Sequence, residues 1–96
     1  MKIVLIPHLK IRLRERKIPQ NYPQKVLEDP QQRFRDTLTG HKIAVKQLEY
    51  GKKLRHMAVS YDKIGDIVEV ITIHPISEQE IENKIKNERW IKDEES

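Results

Sequence analysis

Cysteine is absent, glycine occurs three times, and the aromatics amount to one Phe, one Trp and three Tyr in 96 residues. Each shortage excludes something. Without thiols there is neither a disulfide framework nor a thiolate metal site, the usage expected in a reducing compartment. Three glycines, all beside turn residues, leave no Gly-rich loop to cradle a nucleotide's phosphates. A chain 36% hydrophobic and 35% charged has material for one modest core, so a single domain over residues 1–96 is expected. The apolar run near the N-terminus, "IVLIP", is far too short for a signal segment or a membrane span. A cytoplasmic protein without membrane association is the expectation.

Charge is plentiful and unevenly placed. Residues 1–55 hold 14 Lys and Arg against 5 Asp and Glu, and residues 56–96 hold 5 against 10, so a net +4 divides into +9 and −5. A basic half points to a polyanionic partner such as nucleic acid, because phosphate contacts give affinity without sequence preference. The same richness in Lys and Glu also suits a surface of ion pairs that binds nothing.

The periodicities predict an α+β domain of order β-α-α-β-β-β-β-α. "KIVLI" (2–6) reads as a buried strand stopped by Pro7. Pro23 opens a short helix through "QKVLED". "RFRDTLTG" (33–40), "HKIAVKQLEYG" (41–51), "KKLRHMAVSY" (52–61) and "DIVEVITIH" (66–74) are separated by turn residues and read as an antiparallel meander. Ile43 and Val45, Met57 and Val59, and Val68 and Val70 show the period of two of half-buried strands. "SEQEIENKIKNERW" opens with a capping box, Ser77 and Glu80, and continues with Ile81 and Ile85 at helical spacing. The helices are expected to pack on a four- to five-stranded, mainly antiparallel sheet.

Residues 8–17 alternate like a strand but are built of Leu, Lys, Arg and Glu, good helix formers, and a helix is favoured. On a wheel with His8 at 0°, Arg12 and Arg16 fall at about 40° and 80°, between Leu9 and Leu13 on one flank and Ile11 on the other. That stripe, His8, Arg12 and Arg16, is expected to face inward, leaving Lys10, Arg14 and Lys17 to solvent. An inward guanidinium needs a partner. Two remain open: an acid such as Asp29 or Asp36, or the phosphate of a bound nucleic acid, which Arg clamps bidentately.

The spacing His8, Arg12, Arg16, Ile18 in "HLKIRLRERKI", followed by "VLEDP", "KLRHMAVSYD" and "VEVITIHP", resembles a family of small uncharacterised prokaryotic domains grouped with the RelE/ParE/BrnT toxins of toxin–antitoxin pairs. The likeness covers residues 1–91 in element order, with Lys17 where the family pattern has Gly and Leu9 where it has a small residue. It implies a RelE-like fold and a toxin-like, RNA-acting protein, as a metal-independent endoribonuclease without cofactor. Its partners are then RNA or ribosome-associated RNA and an antitoxin that covers the basic groove. Such cleavage needs a base, an acid and positive charge at the phosphorane. The positions implied are His74 at the end of the last strand, Arg55 or His56 on its neighbour, and Tyr61 as a further proton donor, with His8, Arg12, Arg16 and Arg89 holding the RNA backbone. Strand alternation sets Arg55 on the face of Tyr61 and His56 on the other, which favours Arg55.

The alternative is a non-catalytic module on the same fold, binding nucleic acid or dimerising through an edge strand. A third possibility is an interaction protein whose arginines are internal ties. Four histidines, at 8, 41, 56 and 74, show no local ligand spacing, and no metal is expected. Trp90 either stacks on a base or anchors the tail to the sheet.

Overall fold

The computed structural model describes residues 2–93. Its elements are β1 (Lys2–Leu5), α1 (Pro7–Glu15), α2 (Tyr22–Glu28), β2 (Gln32–Asp36), β3 (Lys42–Tyr50), β4 (Lys53–Ile64), β5 (Ile67–Ile76), α3 (Glu78–Lys86) and β6 (Trp90–Lys92). The architecture is α+β: six strands form one open sheet in the order β1-β5-β4-β3-β2-β6, flanked by three helices. β1 runs parallel to β5 and every other pairing is antiparallel, so the sheet is mixed. Among the described residues no helix is long and apolar enough to cross a membrane.

The meander follows from its turns. Tyr50 pairs with Lys53 around Gly51 and Lys52, both at positive φ (65° and 67°), the dihedral pattern of a type I′ hairpin. The β4–β5 hairpin turns at Gly65 (φ 60°) and Asp66. The sixth strand lies where the sequence reads as the end of the last helix. Helix α3 stops at Lys86 because Glu88 enters the left-handed region (φ 59°) and the N–H groups of Glu88 and Arg89 bond to the carbonyls of Ile85 and Lys84. Trp90 then drops onto the sheet, its ring 5.3 Å from that of Phe34, and antiparallel pairing with β2 adds the strand.

Each sheet face carries its own core. On one, Leu9 and Leu13 of α1 and Val26 and Leu27 of α2 bury against Ala44, Met57, Val59, Val68, Val70 and Ile73. On the other, Ile81 of α3 and Trp90 cover Phe34, Ile43, Val45, Ala58 and Ile76. Ser77 caps α3 as its sequence indicates, its Oγ accepting from the Glu80 N–H at 3.1 Å while the Glu80 carboxylate accepts from the Ser77 N–H at 3.3 Å.

Residues 8–15 are helical and Arg16 and Lys17 form the turn that ends the helix, but the stripe expected inward points out. Leu9 and Leu13 are buried, Ile11 is 52% exposed, and His8, Arg12 and Arg16 are all exposed. The physical reason is brevity: a helix of 9 residues seats itself on two leucines, so its buried arc centres on them rather than midway to Ile11. Neither expected acid serves these arginines. Asp29 pairs with Lys46 at 3.0 Å and Asp36 with Arg89 at 2.8 Å.

Candidate nucleic-acid interface

Strand register sorts the implied catalytic residues. Arg55, Met57, Val59 and Tyr61 alternate along β4 onto the face of α1 and α2. Unbroken alternation along β5 puts His74 on that face too, with Val68 and Val70. A bulge intervenes: Tyr61 pairs with Val70 but Ser60 with Thr72, so Ile71 is an extra residue and the parity of β5 reverses after it. His74 therefore lies opposite Ala58, on the α3 face. Arg55 and Tyr61 share a face yet stand six residues apart, roughly 20 Å at a strand's rise per residue. Arg55 is occupied at the hairpin end, its Nε donating to the Tyr50 carbonyl at 3.1 Å. Of the three residues expected to act together, no two lie within reach of one small group.

His74 is half-buried, and that burial lowers its pKa from the usual imidazole value. The Arg16 and Lys84 charges push it the same way and Glu80 opposes them. Arg16 is thus the residue of the α1 stripe near His74, while its main-chain carbonyl accepts from the Tyr50 hydroxyl at 2.7 Å. Arg89 is a structural tie. Its Nε donates to Asp36, a carboxyl 5% exposed that also accepts from the Leu38 and Thr39 N–H groups and so closes the β2–β3 loop. Burial alone raises the Asp36 pKa, but Arg89 and the two N–H donors outweigh it and hold the group at about 2.

The remaining cations gather elsewhere. Helix α1 packs on β5, and α2 packs on β3 and β4, ending where Asp29 meets Lys46. Beyond that point, toward β2 and β6, no helix of the described residues covers this face. The open corner carries Arg33 and Arg35 from β2, Lys42 from β3 and Tyr61 and Lys63 from β4, with Ile91 of β6 beside Arg35. Arg35 and Lys63 are exposed, Ile91 is 45% exposed, and Arg33, Lys42 and Tyr61 are half-buried. Arg35, Lys42 and Tyr61 form one row across three strands. Burial raises the Tyr61 pKa, the Lys42 and Arg33 charges lower it and Asp93 raises it, so the phenol keeps its proton at neutral pH among charged neighbours.

Arg33 and Arg35 were legible in principle. "RFRD" alternates two cations with Phe34 and Asp36, so both arginines share a face opposite a buried ring. What the sequence does not show is that α1 and α2 stop short of this corner. Among the described residues no three His, Asp or Glu side chains are grouped to hold a metal ion, and His41 is engaged by Asp62 at 2.7 Å. A hollow of about 560 Å³ between the β2–β3 loop and α3 mixes Glu80, Glu88 and Lys84 with Arg89, and has no single charge character. Comparison of the chain with protein-family models, with curated proteins and with solved structures returns no match.

Proposed function

We propose that this protein binds single-stranded nucleic acid, RNA foremost, on the open corner of its sheet, without cleaving it. The observation that carries the reading is the row Arg35, Lys42, Tyr61 with Arg33 and Lys63 beside it, at the corner of the sheet that α1 and α2 leave open among the described residues. Cations spaced along and across strands follow a phosphate backbone, and a phenol and a guanidinium plane stack on unpaired bases. RNA rather than DNA rests on the resemblance to the RelE/ParE/BrnT group.

Binding of a short labelled oligonucleotide, read by fluorescence anisotropy, tests this. Arg35→Ala is expected to weaken binding about five- to tenfold and to flatten the salt dependence, since one phosphate contact goes. Arg12→Ala, on the far side of the covering helices, leaves it nearly unchanged. If Arg12→Ala and Arg16→Ala carry the loss instead, α1 is the binding face and the corner is not.

The second reading, an endoribonuclease of a toxin–antitoxin pair, draws on the element order β-α-α-β-β-β-β-α, which the fold contains. In it the Asp93 carboxylate beside Lys42 takes the proton of the attacking 2′-hydroxyl, Tyr61 gives its proton to the leaving 5′-oxygen, and Arg35 and Lys42 stabilise the phosphorane, with an antitoxin lying over the same corner. His74 and Arg55 are too distant to join them. Incubation with RNA in EDTA separates the two: cleavage that Tyr61→Phe abolishes selects the enzyme, and intact RNA selects the binding module.

A further inference from the structure

A carboxylate stands inside the cationic corner. Asp93 follows β6 directly, and its N–H donates to the Arg33 carbonyl at 3.0 Å. Its Oδ2 lies 2.8 Å from the Lys42 ammonium, with 14% of the side chain exposed against 28% for Lys42. Tyr61 feels Lys42, Arg33 and Asp93 together, so all four groups occupy one patch. An ammonium and a guanidinium-bearing strand flank this carboxylate as they would a phosphate oxygen. The strand that delivers it is three residues long and paired on one side only, to β2.

We infer that Asp93 is a built-in competitor for phosphate: a bound nucleic acid must displace its carboxylate from Lys42, and this exchange limits the affinity of the corner. The inference rests on the reading of that corner as a nucleic-acid site. Its physical content is a charge exchange. Lys42 is neutralised by Asp93 before binding and by phosphate after it, so Lys42 adds little to net affinity or counterion release while Asp93 is in place. The displaced carboxylate also stays nearby and repels the polyanion that replaced it. Weakly held polyanions are thereby excluded, and ligands that also engage Arg33, Arg35 and Tyr61 are retained.

Neutral variants at this position test it. Binding of a short single-stranded RNA is measured for wild type, Asp93→Asn, Asp93→Ser and Asp93→Glu across salt concentrations, with the melting temperature of each as a check on folding. Both neutral variants are expected to bind about fivefold tighter at ~50 mM salt, with the slope of log K against log salt steeper by about 0.7, one further phosphate contact on a single strand. Asp93→Glu keeps the charge and stays close to wild type. Folded neutral variants that bind no tighter than wild type overturn the inference and leave the binding reading intact. If neither wild type nor the neutral variants bind, both fall. If only the neutral variants bind, both stand and Asp93 is a complete block. Two different neutral side chains guard against one of them disturbing β6.

Discussion

Lys17 and Glu88 hold φ angles of 56° and 59°, where a Cβ is crowded by the following peptide. Both follow a helix. At the end of α1, Ile18 N–H bonds to the Leu13 carbonyl at 2.9 Å and Lys17 N–H to the Arg14 carbonyl at 3.3 Å, the two bonds of a Schellman motif, and α3 ends the same way. Glycine is the residue this position favours. Relief of ~1–2 kcal/mol of left-handed strain, offset by ~0.5–1 kcal/mol of added chain entropy in the unfolded state, leaves each of Lys17→Gly and Glu88→Gly about 0.5–1 kcal/mol more stable. Urea unfolding checks this, and a lower midpoint for both variants would show that the caps carry no strain. Asp36 is the opposite kind of residue, one whose surroundings are already matched to it. Its folded pKa of about 2 lies below the ordinary 3.8, so its stabilisation is complete above about pH 4 and is lost as the pH falls from there through about 2. Asp36→Ala leaves the loop amides without an acceptor, costs ~2–3 kcal/mol at neutral pH, and flattens the stability profile across that acid window.

At the scale of the element, one residue in β5 decides which face half the strand presents. Val68 and Val70 are buried on the α1/α2 side, but past the extra residue at Ile71 the parity reverses, so that Ile73 takes that side and His74 and Ile76 face α3. Nothing in "VEVITIHP" marks the bulge: there is no glycine, and the alternation of Val68, Val70, Thr72 and His74 reads as unbroken. Helix α3, by contrast, was fully legible at its start, because Ser77 and Glu80 state their reciprocal hydrogen bonds in the sequence. Helix α1 was legible as a helix but not in its facing, since two leucines outcompete a wider arc that included Ile11. The consequence for His74 is measurable. Half-buried on the α3 face with Arg16 and Lys84 near, its folded pKa lies below the unfolded value of about 6.5, so the folded state resists protonation more than the unfolded chain. Stability is therefore expected to decline as the pH falls below about 6.5, and His74→Gln, which has no proton to take up, removes that part of the decline. Parallel melting curves of wild type and variant between pH 7 and pH 5 decide the matter; identical profiles would place His74 in contact with solvent.

For the whole molecule, the division of charge into a basic and an acidic half along the chain does not say where the charges gather on the fold. The cations of the first half scatter when the chain folds: Arg12 and Arg16 go to the outer side of α1, Lys46 to Asp29, Arg55 to the hairpin end, and Arg33, Arg35 and Lys42 come near Lys63 at the corner. Pairing of β4 with β3 brings Lys63 to that corner, and pairing of β6 with β2 brings Asp93 of the acidic half into it. The two halves therefore oppose each other at one place, and the salt dependence of binding counts the result. If Lys42 only exchanges one anion for another, removing the Asp93 charge steepens the slope by roughly 0.7, one phosphate contact on a single strand. A negative slope that steepens by about 0.7 in Asp93→Asn fits a corner in which Asp93 competes with phosphate for Lys42. A slope near zero means that the oligonucleotide is not held by phosphate contacts, and then the row of Arg35, Lys42 and Tyr61 is not where it binds.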